Sequence, residues 1–105
     1  MVDTHKIIRC EAKGNCTNIF LADNTIMFST RPLKHYHNQL HGKDFFRIHK
    51  SHLINIEHLK DYVKGKGGWA IMTSPQTQSV VAQLPVSRME KPAFISFLAS
   101  KGILA

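Results

Sequence analysis

Turn-forming residues interrupt this chain before any apolar run grows long. Ile7-Ile8-Arg9-Cys10-Glu11-Ala12 stops at Lys13-Gly14-Asn15. Thr17-Asn18-Ile19-Phe20-Leu21-Ala22 and Thr25-Ile26-Met27-Phe28-Ser29 flank Asp23-Asn24. Both of those turn residues tolerate positive φ, which makes a tight hairpin. Phe45-Phe46-Arg47-Ile48-His49 alternates from Phe46 onward, with Phe46 and Ile48 on one face and Arg47 and His49 on the other. Leu53-Ile54-Asn55-Ile56 reads as a short buried strand or turn, and residues 59–64 lead into Gly65-Lys66-Gly67-Gly68. Trp69-Ala70-Ile71-Met72-Thr73 and Ser79-Val80-Val81-Ala82-Gln83-Leu84 enclose Ser74-Pro75-Gln76, a third hairpin. Runs this short and evenly spaced predict a mainly β chain rather than βαβ units. No run is long enough to span a membrane.

Two helices are expected between the strands. Thr30 serves as a cap for the first, Pro32 falls in its first turn, and Leu33, Tyr36, His37 and Leu40 form one stripe ending at Gly42. Ser87-Arg88-Met89-Glu90 matches a capping box, but Pro92 would clash inside an established helix. The pattern therefore predicts one turn around 88–90 and a helix from about Lys91 to Ser100, with Phe94, Phe97 and Leu98 inward. Phe20, Phe28, Phe46, Phe94 and Phe97 all lie in apolar patterns and are expected in the core. At 105 residues the chain is expected to be a single domain, 1–105 with its core at about 7–99; such a domain buries roughly two-thirds of its unfolded surface.

Charge narrows the function. Fourteen Lys and Arg against seven Asp and Glu give +7, spread over both halves, with seven histidines besides. A compact basic domain is the electrostatic footprint of a polyanion binder, although a basic surface also serves solubility. The start, Met1-Val2-Asp3-Thr4-His5-Lys6, lacks a signal peptide's apolar stretch, so a cytoplasmic setting is expected. The most informative segment is Phe45-Phe46-Arg47-Ile48-His49-Lys50-Ser51-His52-Leu53-Ile54-Asn55. It opens as an apolar strand and then places two permanent cations, a hydroxyl and two imidazoles within six positions. Such groups neutralise and hydrogen-bond phosphates, and Lys also reaches base edges.

This segment resembles the signature of the LytTR-type DNA-binding domain, the output module of many bacterial response regulators. There an apolar-apolar-Arg-x-His-x-Ser run precedes a hydrophobic strand ending in Asn, and Phe45 to Asn55 match throughout. Ile8-Arg9-Cys10-Glu11-Ala12-Lys13-Gly14-Asn15-Cys16-Thr17 is similar to the family's opening strand and Gly-Asn-x-Thr turn. Thr30-Arg31-Pro32-Leu33-Lys34 resembles the start of its first helix, and Pro85-Val86-Ser87-Arg88 its last strand-to-helix motif. The likeness spans about residues 7–99.

The resemblance implies an elongated row of small antiparallel sheets with two short helices, not a helix-turn-helix, whose loops enter successive major grooves of duplex DNA in transcriptional regulation. By position, the contacts fall to Lys13, Asn15 and Thr17 in the first turn, Arg47, His49, Lys50 and Ser51 in the central loop, and Ser87, Arg88 and Lys91 in the last. Arg88 takes the place of an arginine that reads a base, usually guanine, whose O6 and N7 match its fork. Lys50 occupies a second base-reading position; Arg47, Ser51 and Asn15 are assigned to phosphate. Family members commonly bind direct repeats as two copies, and a lone domain is monomeric or weakly dimeric. No receiver segment is present in the sequence, so a fragment of a longer regulator and a free-standing one are both open.

Other chemistries fit less well. His37 and His41 have the i, i+4 spacing that shares a metal, but no Cys or carboxylate lies near, and Cys10 and Cys16 lack a CxxC spacing, so no metal and no cofactor are expected. Ser51 beside His49 and His52 is a neighbourhood, not a triad, and no enzyme is expected. Lys64 to Gly68 lacks a P-loop's strand–loop–helix context. The alternatives to duplex recognition are an RNA or single-strand module and a protein-interaction domain with a basic surface. Trp69 and Tyr62 discriminate: an exposed, stacking Trp69 favours single strands, a buried one duplex DNA. With about five to eight phosphates neutralised, log affinity for duplex DNA should fall against log salt with a slope of roughly −4 to −7. Fluorescence anisotropy from about 50 to 200 mM salt measures it, and a slope near zero would refute the polyanion reading.

Overall fold

In a computed structural model, which describes residues 3–40, 42–65 and 67–103, the expected strands assemble into two antiparallel sheets. His41 and Lys66, from the candidate metal pair and the glycine-rich turn, lie outside the described residues. The first sheet has the order β3-β2-β1-β5-β4, from β1 (Ile7–Lys13), β2 (Cys16–Leu21), β3 (Ile26–Ser29), β4 (Phe45–His49) and β5 (His52–Asn55). The second has the order β6-β7-β8, from β6 (Leu59–Val63), β7 (Trp69–Thr73) and β8 (Val80–Pro85). Helices α1 (Leu33–Leu40) and α2 (Lys91–Ser100) complete the fold. The row of sheets is short, at 36 × 30 × 25 Å overall.

Local chemistry sets the hairpins. Gly14 (φ 61°) opens the two-residue turn closed by the Lys13–Cys16 pair, as a primed hairpin requires. Between β2 and β3, Asn24 takes φ 70° while the Asp23 carboxylate accepts from the Thr25 amide and hydroxyl. Those bonds hold the Asp23 carboxyl below the usual carboxylate range. Ser87 Oγ accepts from the Glu90 amide at 3.3 Å, forming the anticipated turn before α2. Helix α1 starts later than expected: it opens at Leu33, so Pro32 precedes it and Thr30 is no cap.

The first sheet is covered on both faces. Helix α1 lays Leu33 and Leu40 against Ile7, Cys10, Ile19, Phe45 and Leu53. Burial there pushes the Cys10 thiol up to about 12. On the other face, Ile8, Ile48 and Ile54 meet Ala70, Met72 and Leu84 of the second sheet, and α2 closes the layer with Phe94 and Leu98. Phe94 packs tilted against Phe46 at 5.2 Å and edge-on to Tyr62 at 5.5 Å. Two bulges serve this interior: the extra residues Ile8 in β1 and Ile48 in β4 both turn into it. The second bulge corrects the expected alternation, because the register sets Arg47 beside Leu53 and His49 beside His52, on opposite faces.

Phe28 also departs from expectation. It is 64% exposed, with Ile26 and Met27 exposed beside it, because β3 is an edge strand and the second sheet does not reach that far. Phe20 is half-covered by the Arg9 guanidinium, 3.7 Å above its ring. The two sheets meet at Asn55, the last residue of β5. Its buried Nδ2 donates to the carbonyls of Ile7 (2.9 Å) and Thr4 (3.3 Å), and its Oδ1 caps the one-turn 3-10 helix Ile56–His58 by accepting from Glu57 N. Asn55→Ala removes all three bonds, with the Thr4 carbonyl keeping the Ile7 N–H, and should lower the unfolding free energy by about 3 kcal/mol, roughly 15 °C in Tm. Calorimetry checks this; a fall of only a degree or two would show that the junction holds without the amide.

Candidate nucleic-acid interface

The loops singled out in the sequence lie at one end of the first sheet because its strands run antiparallel. Glu11 pairs with His52, so the β1–β2 turn projects beside the β4–β5 turn, and the Ser51 carbonyl accepts from Ala12 N at 2.9 Å. The last loop is tied to the same place: Ser87 N donates to the Ile48 carbonyl at 2.8 Å. Arg47, His49, Lys50, Ser87 and Arg88 thereby line one shallow depression together with Met89 and Glu90.

Within the central loop the side chains hold one another. Arg47 Nη2 donates to the Lys50 carbonyl at 2.6 Å, which fixes the turn carrying Lys50. His49 Nδ1 accepts from Ser51 N at 3.1 Å, so the neutral ring carries its proton on Nε2. His49 and His52 lie with ring centroids 5.3 Å apart. Lys13, Asn15, Lys50 and Arg88 are exposed, and the three cations among them make no ion pair. That combination leaves cations free to meet an anion at little desolvation cost.

Two expected site residues are not gathered there. Thr17 is 0% exposed and its hydroxyl donates to the Arg31 carbonyl at 2.8 Å, which corrects its assignment as an outward contact. Its role is to tie β2 to the approach of α1. Lys91 runs instead toward the second sheet, where a Cβ placed on Gly68 would come within 3.1 Å of its Cε. In exchange the structure adds two residues. The Thr17 bond brings exposed Arg31 to the first turn, and Met89 stands 89% exposed in the last loop. The resemblance of Thr30-Arg31-Pro32 was the available signal for Arg31; for Met89 there was only its place after Arg88.

Trp69 is 39% exposed, beside Val63 and Pro85 in the register of the second sheet, so it meets neither arm of the discriminator cleanly. Helices α1 and α2 pack on opposite faces of the first sheet, so they form no helix-turn-helix. Among the described residues no helix is long and apolar enough to cross a membrane.

A β scaffold offering three loops with exposed cations at one end defines a nucleic-acid-binding module. The comparisons specify it. The family model of the LytTr DNA-binding domain matches residues 1–98, and the chain belongs to that family, whose members are DNA-binding domains of transcriptional regulators. No curated protein matches it. Among solved structures it is similar to the LytTr DNA-binding domain of a putative methyl-accepting/DNA response regulator from Bacillus cereus, with a TM-score of 0.74 and 21% identity. That match covers 92% of this chain and 84% of the other, and it supports the fold.

Behind the loops, His52 is held below its usual 6.5, chiefly by burial, with His49 and Arg9 acting in the same direction and Glu11 opposing. Its Nδ1 lies 3.5 Å from Glu11 Oε1, and that carboxylate already accepts from Arg9 at 2.8 Å. A lowered folded pKa means the unfolded chain takes the proton first, so this contribution is intact above pH 6.5 and is lost as pH falls through the folded value. His52 should therefore contribute a fall in Tm from pH 7 toward pH 5, with His5, raised by Glu57, acting oppositely, and Tm should fall less over that range in His52→Gln than in the parent. An unchanged slope in the variant would assign the loss to other groups.

Proposed function

We propose that this chain reads specific duplex DNA sequences by placing its three loops in successive major grooves on one side of the helix, as one domain over residues 1–105. The observation that carries this reading is the shared depression in which Arg47, His49, Lys50, Ser87 and Arg88 converge without an ion pair. Arg88 and Lys50 are exposed at its rim and take the base-reading roles, Arg88 at a guanine. Arg47, Ser51, Asn15 and Lys13 contact phosphates and set register, with Arg31 joining them. His49 presents Nε2–H as a further donor, and Ser87 shapes the turn that aims Arg88. Lys91 adds long-range positive potential more than a direct contact.

The reading extends to the setting. The domain acts in the cytoplasm, without catalysis or a cofactor, on direct-repeat sites that arrange two copies of a monomeric or weakly dimeric chain. A receiver domain in a longer parent supplies the signal where there is one. Partial exposure of Trp69 favours one second reading, a single-strand or RNA module in which that ring stacks on bases.

Arg88→Ala should cost about 1–3 kcal/mol and relax preference at one base pair, whereas Arg47→Ala and Ser51→Ala should weaken all sequences alike. Sites selected from a random duplex library, titrated beside random duplex and matched single strands, measure both. Equal losses on selected and random duplex for Arg88→Ala would remove it as a reader. Tighter binding to single strands, abolished in Trp69→Ala, would move the function to the second reading.

A further inference from the structure

One cleft adjoins the depression beneath the loops. It measures about 570 Å³ and opens between α1, the β4–β5 hairpin and α2, where both cores reach the surface. Phe45 and Leu53 come from the α1 side, Phe46 and Phe97 from the layer beneath α2. Phe46 and Phe97 stand 5.1 Å apart and tilted, forming an aromatic wall. A cavity of roughly 300–1,000 Å³ with apolar walls and a few polar groups is the form that small-molecule sites take.

The polar groups choose the ligand. Lys101 and Asp44, both lining the cleft, neutralise each other at 2.6 Å. Glu90 is the residue preceding the first turn of α2, where the helix N-terminus favours a negative charge. Arg47 is different: it has no carboxylate partner, and its Nε is buried with no acceptor. With one donor on the Lys50 carbonyl and no carboxylate against it, the guanidinium is the uncompensated cation of the cleft, and the +7 chain attracts anions to it. We infer that this cleft binds a small aromatic or aliphatic monocarboxylate, its carboxylate on Arg47 and its apolar body against Phe46 and Phe97.

Such a ligand would act on DNA binding. Arg47 and Glu90 line both this cleft and the depression beneath the loops. A carboxylate on Arg47 occupies the guanidinium assigned to phosphate and shifts the side chain that holds the Lys50 carbonyl. The acid is thus an antagonist of duplex binding, and the coupling is reciprocal. This regulatory part rests on the DNA-interface reading; occupancy of the cleft does not.

The test uses the full chain with 4-phenylbutanoate as probe and its uncharged amide, 4-phenylbutanamide, as control. Without DNA, the acid should shift the backbone amide resonances of Phe45, Phe46, Leu53 and Phe97 saturably, and the amide should bind about tenfold more weakly. Saturating acid should then weaken duplex affinity by about fivefold or more. Phe97→Ala should abolish the shifts while leaving duplex affinity within about twofold; if that variant fails to fold, Arg47→Lys, which keeps the charge and loses the guanidinium fork, should lose acid binding instead. No shifts at the cleft would overturn the site, and equal binding of acid and amide would overturn recognition of the anion. Cleft shifts with unchanged duplex affinity would overturn the antagonism. A chain that fills its cleft yet binds no duplex would overturn the interface reading and leave the cleft standing.

Discussion

Everything in this molecule hangs on how one sheet is joined to the next, and the joint is a buried amide. Asn55 spends both donors on the carbonyls of Thr4 and Ile7 and its oxygen on Glu57 N. It therefore fixes the start of β1, the end of β5 and the 3-10 turn into the second sheet at once. An apolar residue of similar size would take this partner from the Ile7 carbonyl and the Glu57 amide inside the protein, while the Thr4 carbonyl would keep the Ile7 N–H. Two further bonds reinforce the joint: His58 Nε2 donates to the His5 carbonyl at 2.7 Å, and the Ser74 hydroxyl reaches the Ala22 carbonyl at 3.4 Å. With the sheets locked, α2 seals the layer between them with Phe94, and its leading turn stays beside the β4–β5 loop.

That sequence of dependence explains how the loops can be exposed and yet ordered. Each is short, and each is tied by a backbone bond to a neighbour: Ala12 to Ser51, Ser87 to Ile48. The side chains nearest the surface then need little internal support, and the cations keep their charge unspent. Arg47 is the exception, because it both builds the loop and faces the anion-seeking surface. Its fork, with several donors, permits the double duty where a lysine could not.

Features governed by neighbours in the chain were legible in the sequence. The hairpins followed from residues that accept positive φ, such as Gly14 and Asn24. The break between the 88–90 turn and α2 followed from Pro92. Features governed by distant partners were not. The fate of Thr17 depends on a carbonyl fourteen residues away at Arg31. The exposure of Phe28 depends on its strand being last in its sheet, and nothing in an apolar run distinguishes an edge strand from a central one. The bulge at Ile48 likewise separates Arg47 from His49, which simple alternation places together. Three ordered motifs pointed to loops that the fold brings to one end of the first sheet; only packing could say which of their side chains turn outward.

The apolar edge strand β3 has a colloidal consequence. Ile26, Met27 and Phe28 face solvent beside a row of unpaired backbone groups, the kind of edge that invites strand pairing between copies. Residues 24 to 30 carry no charge, so nothing on the strand itself repels a second copy; the +7 of the whole chain does. That repulsion reaches about 30 Å at 0.01 M salt and about 8 Å at 0.15 M. The salt that loosens the domain from a polyanion thus also lets its edges approach, so the tendency of copies to pair through β3 in concentrated solution rises with ionic strength.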